Sequence, residues 1–111
     1  MTDENANMKR ERRSSAQTLS IFEALLAQPR AWRHGYDLSL ETELKSGTLY
    51  PVLMRLSDRG FLDSKWEESE LQGRPPRRMY RLTAKGAAYA KDELAANEEL
   101  QAADKLARGR A

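Results

Sequence analysis

The chain has no cysteine and a single histidine, His34. The first absence removes disulfides, thiolate zinc sites and cysteine nucleophiles. The second leaves no histidine cluster for metal or acid–base chemistry, so we expect His34 to be a packing or hydrogen-bonding residue at a helix start. Glycine-rich phosphate loops are missing as well, and neither a cofactor nor a metal is implied. The acids of WEESE, Trp66 to Glu70, read as a solvated strand end rather than as paired catalytic carboxylates. No enzyme is expected. No stretch reaches the roughly 18 apolar residues of a membrane span, and the N-terminus has no apolar run of the signal-peptide kind, so no membrane partner and a cytoplasmic location are the expectation.

Large apolar side chains are also scarce. With 111 residues, 40% hydrophobic, 7% aromatic and 32% charged, and a mean hydropathy of −0.80, the chain has material for one domain with a modest core. A partner subunit would add to that core.

What is present is unevenly placed charge. The net charge is only +2, so distribution matters more than total. From Gly73 to Lys85 stand Arg74, Arg77, Arg78, Arg81 and Lys85 with no acid among them, whereas Asp63 to Glu70 holds four acids against one lysine. A further basic cluster, KRERR, covers Lys9 to Arg13. It fits either a basic arm that reaches along nucleic acid or a disordered solubilising tail, and residues 1–13 are expected to be a disordered basic arm.

Hydrophobic period divides the rest. Leu19, Phe22, Leu25 and Leu26 share one helical face, Ser14 or Ser15 can cap its start, and Pro29 ends it. HGYDLSLETELKSG predicts a second short helix from about Tyr36, with Tyr36, Leu38 and Leu40 or Leu44 available for burial, then a tight turn around Glu43. A left-handed conformation there costs about 1 kcal/mol relative to glycine. In KSGTLYPVLMRLSDRGFL, Leu49, Val52, Leu53 and Leu56 form a strong buried stripe, and Gly60 stands where a left-handed C-terminal cap belongs. Next, Leu62, Ser64 and Trp66 alternate with charged residues, and Tyr80 and Leu82 alternate with Met79, Arg81 and Thr83, predicting two strands joined by a Pro- and Gly-containing loop. Thr83 can cap a last helix running through Ala87, Ala90 and Leu94 to about Leu106.

The start of the third helix is unusual, because Ser46, Gly47, Thr48, Tyr50 and Pro51 crowd its first turns. Small and hydroxyl residues there suit close approach to a phosphate ribbon, with free first-turn N–H groups and the helix dipole favouring anions. The plainer alternative is that Ser46 or Thr48 is a cap, Tyr50 packs half-buried and Pro51 is a helix-start residue. Only a cap at Thr48 spares an intrahelical bond at Pro51.

Helix, short helix, turn, helix, strand, basic loop, strand is the layout of a winged helix-turn-helix. The expected fold is α+β, mainly α, with three helices and a two-stranded wing over residues 14–83 and a C-terminal helix over 84–108. In that layout the third helix enters the major groove and the wing lies on the flanking backbone. Prolines 75 and 76 would stiffen the loop, so the arginines lose less freedom on binding.

HGYDL, SGTLYPVLMRLSDRGFL, WEES and GRPPRRMYRLTAKG, in that order across Gln17 to Gly86, resemble the PadR-like transcriptional regulators, in particular the short members with one C-terminal helix. The resemblance implies a dimeric, sequence-specific repressor whose partners are double-stranded DNA and a second copy of itself, at an inverted-repeat operator, with a small-molecule effector as a further candidate partner. By the same resemblance, Lys45, Ser46, Thr48, Tyr50, Pro51 and Arg55 face DNA from the recognition helix, and Arg74, Arg77 and Arg78 from the wing. The resemblance also implies a dimerisation role for the C-terminal helix over 84–108, and the dimer interface would use Leu19, Phe22, Ala87, Ala90, Leu94 and Leu100. Trp32, Phe22 and Tyr89 are expected in core packing rather than around an effector. The alternative reading is a winged helix that serves only protein contacts.

Overall fold

The computed structural model describes residues 14–67, 73 and 75–109. The expected basic arm, residues 1–13, and Arg74 lie outside the described residues.

Helix α1, Ala16–Leu26, starts where Ser15 accepts a hydrogen bond from the Thr18 N–H. Its inner face buries Leu19, Ile21, Phe22 and Leu25. Ser14, just before it, donates from N–H and hydroxyl to Glu93 at 3.0 and 2.9 Å. After Pro29 the chain forms a two-residue strand β1, Arg33–His34, and then α2, Gly35–Thr42. Glu43 takes the left-handed conformation, with φ 59°, and turns the chain into α3, Ser46–Asp58. The turn expected at Glu43 is therefore present.

Helix α3 buries Leu49, Val52, Leu53 and Leu56, the predicted stripe. It ends on Gly60 at φ +82°. The Gly60 N–H bonds to the Ser57 carbonyl at 3.0 Å and the Phe61 N–H to the Leu56 carbonyl at 2.9 Å, which satisfies the last turn in a Schellman arrangement. Strand β2, Leu62–Glu67, then pairs antiparallel with β3, Arg77–Leu82, from Leu62 opposite Leu82 to Glu67 opposite Arg77. β1 joins the other edge of β3, so the sheet has order β1-β3-β2. That third strand is an addition to the two expected; two residues carry too little period to be read.

Helix α4, Ala84–Gly109, leaves the sheet through Thr83. Thr83 accepts from the Gly86 N–H at 2.9 Å and donates to the Gly60 carbonyl at 2.8 Å. Gly86 lies so close to Phe61 that a Cβ there would stand 1.9 Å from its carbonyl oxygen. Tyr89 stacks on Phe61 with centroids 4.3 Å apart and meets Phe22 edge-on at 5.9 Å. The core thus joins α1, α2, α3, the sheet and the first half of α4 around Phe22, Leu38, Leu53 and Ala90, each fully buried.

Two burial expectations change. Tyr36 and Leu40 are 64% and 60% exposed, and only Leu38 of α2 is an apolar core residue, with Leu44 half-buried against it. Trp66 alternates with Leu62 on one face, but β2 runs out beyond the helices there and leaves the ring 61% exposed. Trp32 is not a core residue. It lies half-buried on the other face of the sheet, with Lys65 Nζ at 4.5 Å and the Arg81 guanidinium at 4.3 Å from its ring centre.

Candidate nucleic-acid interface

The N-terminal cap of α3 is Lys45, not Ser46 or Thr48. It makes no side-chain capping bond, and its carbonyl accepts from both Thr48 and Leu49 N–H at 2.9 Å. Pro51 is consequently the sixth helical residue and has no N–H to give to the Gly47 carbonyl, so the one-bond loss applies. What the start of the helix gains is openness. Lys45, Ser46, Gly47, Thr48, Tyr50, Pro51, Met54 and Arg55 are all exposed, and a Cβ added to Gly47 would meet nothing within 4 Å. Intramolecular packing does not require glycine there. Asp58, at the far end, is the one acid of α3.

Tyr50 is held differently. Its ring lies over the start of α2, where a Cβ on Gly35 would stand 2.5 Å from the phenolic oxygen. Gly35 is thus small because Tyr50 needs the space. The ring faces a groove of about 360 Å³ whose other wall is the root of the wing, with Trp66, Pro76, Arg77, Arg78 and Tyr80. Burial pushes the Tyr80 phenol above its ordinary range, so that hydroxyl stays neutral.

Among the described residues, the wing arginines Arg77 and Arg78 each have a support of their own. Arg78, cross-strand partner of Trp66, donates to the Ser64 hydroxyl at 2.8 Å and places its guanidinium 5.2 Å from the Trp66 ring centre. Neither contact neutralises its charge. Arg77 approaches Glu67 at 3.4 Å. The same Glu67 oxygen lies 2.8 Å from His34 Nε2, while His34 Nδ1 faces Asp37 at 3.5 Å. His34 is therefore a hydrogen-bonding residue at a helix start, as expected, and it ties the wing to α2. The bond from His34, helped by the charges of His34 and Arg77, holds the Glu67 carboxyl below its ordinary value against the opposing effect of desolvation.

A helix-turn-helix with an open, polar third-helix start, flanked by a basic β-ribbon, is an arrangement that a family comparison can test. The model described as "Transcriptional regulator PadR-like family" matches residues 24–92. The chain belongs to the PadR-like family. That family consists of transcriptional regulators and not of enzymes. A transcriptional regulator of Mycobacterium tuberculosis is 44% identical over 68 residues, which are 61% of this chain and 55% of that protein; the match spans about half of that relative's length. Among solved structures, a PadR-like transcription factor from Bacteroides fragilis superposes with a TM-score of 0.69 at 27% identity, covering 95% of this chain and 99% of that one. A PadR family transcriptional regulator from Eggerthella lenta gives 0.64 at 30% identity, covering 95% and 93%. The mainly helical winged fold with its C-terminal helix is thus a PadR-like fold.

In this PadR-like chain, Lys45, Ser46, Thr48, Tyr50, Pro51 and Arg55 lie together on the solvent side of α3, and Arg77 and Arg78 flank the groove that Tyr50 enters. The residues read as a dimer interface divide. Phe22 and Ala90 are fully buried inside the chain's own core and Leu19 is 9% exposed. Ala87 and Leu94 are half-buried against that core. Leu100, with Leu106 beyond it, is exposed on the distal half of α4, at 57% and 68%. The supports Ser64, Trp66 and Glu67 escaped the reading of the sequence, because they become visible only once the register of β2 on β3 is known.

Proposed function

We propose that this regulator acts as a two-fold symmetric dimer that binds double-stranded DNA at an inverted repeat and represses by excluding polymerase from a promoter. The observation that carries the reading is the groove shared by Tyr50 of α3 and Arg77 and Arg78 of the wing, since it sets the hydroxyl-rich helix start and the basic ribbon on one side of the molecule. In this reading α3 enters the major groove, where Thr48 and Arg55 reach base edges and Lys45, Ser46, Tyr50 and Pro51 lie against the strand. Arg74, Arg77 and Arg78 neutralise flanking phosphates. Gly47, with no neighbour to forbid a side chain, is where the DNA comes nearest.

Dimerisation is assigned to α4. Its distal half presents Leu100 and Leu106, which gain burial only against another surface, and a second copy supplies one in the symmetric manner usual for such proteins. The two recognition helices would then enter successive major grooves about 34 Å apart. Release by a small-molecule effector requires a ligand that binds one dimer geometry better than the other.

Selection from a pool of random duplexes tests this. Enrichment of an inverted repeat with half-sites about one helical turn apart is the expected result. Enrichment of a single half-site would remove the dimer geometry, and no enrichment at all would remove sequence-specific binding and move the winged helix to protein contacts.

A further inference from the structure

The groove between α3 and the wing holds two aromatic side chains for which the fold gives no reason. Tyr36 and Trp66 line it while remaining 64% and 61% exposed, so they contribute little to the core. The groove also receives the Tyr50 ring and the guanidinium-bearing residues Arg77 and Arg78. None of its lining residues is acidic, although the chain has 17 acids. Its chemistry is that of phenol and guanidinium donors beside flat apolar rings.

We infer that this groove seats the stretch of DNA backbone that crosses from the major groove, read by α3, to the neighbouring groove under the wing, with Tyr36 as a phosphate contact and Trp66 as the residue that positions Arg78. The inference rests on the DNA-binding reading and adds two residues to it. When a helix lies in one groove and a β-ribbon lies over the next, a single sugar-phosphate strand separates them and must pass between helix and ribbon. In this fold the space between them is this groove. A phosphate there is offered hydroxyls from Tyr36 and Tyr50 and a guanidinium from Arg78, which already has its direction fixed by Ser64 at 2.8 Å and by the Trp66 ring. An arginine held before binding loses less side-chain freedom when the phosphate arrives. The face of Tyr36 remains for the deoxyribose.

Four variants of the full chain test the seat: Tyr36→Phe, Trp66→Ala, Arg78→Gln and the Trp66→Ala/Arg78→Gln double variant, titrated against the selected operator and a scrambled duplex at two salt concentrations. Tyr36→Phe removes one hydroxyl from an exposed residue and leaves folding intact. It should weaken both duplexes by about tenfold, the scale of one hydrogen bond to a charged group. Phosphate-ethylation interference should show that the variant has become insensitive at one backbone position between the major-groove and wing contacts. Trp66→Ala and Arg78→Gln should each lower the salt slope by about one, and the double variant should match Arg78→Gln within about twofold, as expected of residues acting through one contact. Tyr36→Phe and Trp66→Ala binding like the unsubstituted protein, while Arg78→Gln is weakened, would place the strand elsewhere and overturn the seat alone. Failure of the unsubstituted protein to prefer the operator would instead remove the regulator reading on which the seat depends.

Discussion

One methyl group added at Gly86 should cost about as much stability as a typical large-to-small truncation in the core. The Cβ of Gly86→Ala would lie 1.9 Å from the Phe61 carbonyl oxygen and 2.7 Å from its carbonyl carbon. Both are backbone atoms, so no rotamer change relieves the contact, and the first turn of α4 must withdraw. Three hydrogen bonds lengthen together: Gly86 N–H to Thr83 Oγ1 at 2.9 Å, Thr83 Oγ1 to the Gly60 carbonyl at 2.8 Å, and Thr83 N–H to the Phe61 carbonyl at 3.1 Å. Overpacking a filled site costs about 1–3 kcal/mol and loss of an N-cap about 1 kcal/mol, so about 3 kcal/mol is expected. For a domain of this size that is a fall of about 15 °C in Tm. Helix propensity pushes the opposite way, favouring alanine by up to about 1 kcal/mol, and the sign of the effect therefore discriminates. Thermal unfolding followed by circular dichroism, at one fixed protomer concentration so that any dimer linkage is constant, reads it directly. Thr83→Ala should cost only about 1 kcal/mol. A Gly86→Ala protein with an unchanged or raised Tm would refute the close approach of α4 to Phe61.

Gly47→Ala is the counterpart. With no neighbour within 4 Å it should leave stability unchanged or raise it by up to about 1 kcal/mol, yet weaken DNA binding at least tenfold in a gel-shift titration; unchanged affinity would contradict DNA contact at that point. Glu43→Gly relieves a left-handed residue at φ 59° and should stabilise by up to about 1 kcal/mol in urea unfolding. Glu67 has its folded carboxyl held below the ordinary 4.5, chiefly by the bond from His34. A depressed value means the contribution is complete above about pH 4.5 and disappears as pH falls through the lower folded value. Glu67→Gln and His34→Gln should therefore flatten the acid limb of a stability–pH curve below about pH 4.5. In salt titrations of DNA binding, about six to eight phosphate contacts per dimer would give a slope of roughly −5 to −7, which Arg77→Gln and Arg78→Gln should reduce for operator and scrambled DNA alike.

The parts legible in the sequence were those with several cues in agreement. Helix α3 combined the Leu49, Val52, Leu53, Leu56 stripe with Gly60 at φ +82°, and α4 began on Thr83 with its hydroxyl cap. The wing strands followed from alternation, and the PadR-like motifs ordered all of them. Helix α2 was harder, because eight residues make barely two turns and tertiary packing chose Leu38 while leaving Tyr36 and Leu40 in solvent. The cap of α3 fell on Lys45 although two hydroxyl residues stood nearby; the position was set by the turn at Glu43 rather than by side-chain capping. Pairings across the sheet were closed to inspection for another reason. The segment between the wing strands sets which residue of β3 faces Trp66, and nothing local in the sequence specifies that register, so the support of Arg78 by Ser64 and Trp66 and the bridge from His34 to Glu67 appeared only in three dimensions.

The most direct test of the regulator reading is a titration of the purified protein against the DNA immediately upstream of its own coding region and against a scrambled duplex of equal length, each at two salt concentrations. The account predicts tight binding to the first that survives the higher salt and footprints as an inverted repeat. Equal, salt-sensitive binding to both duplexes, or binding to neither, would contradict it.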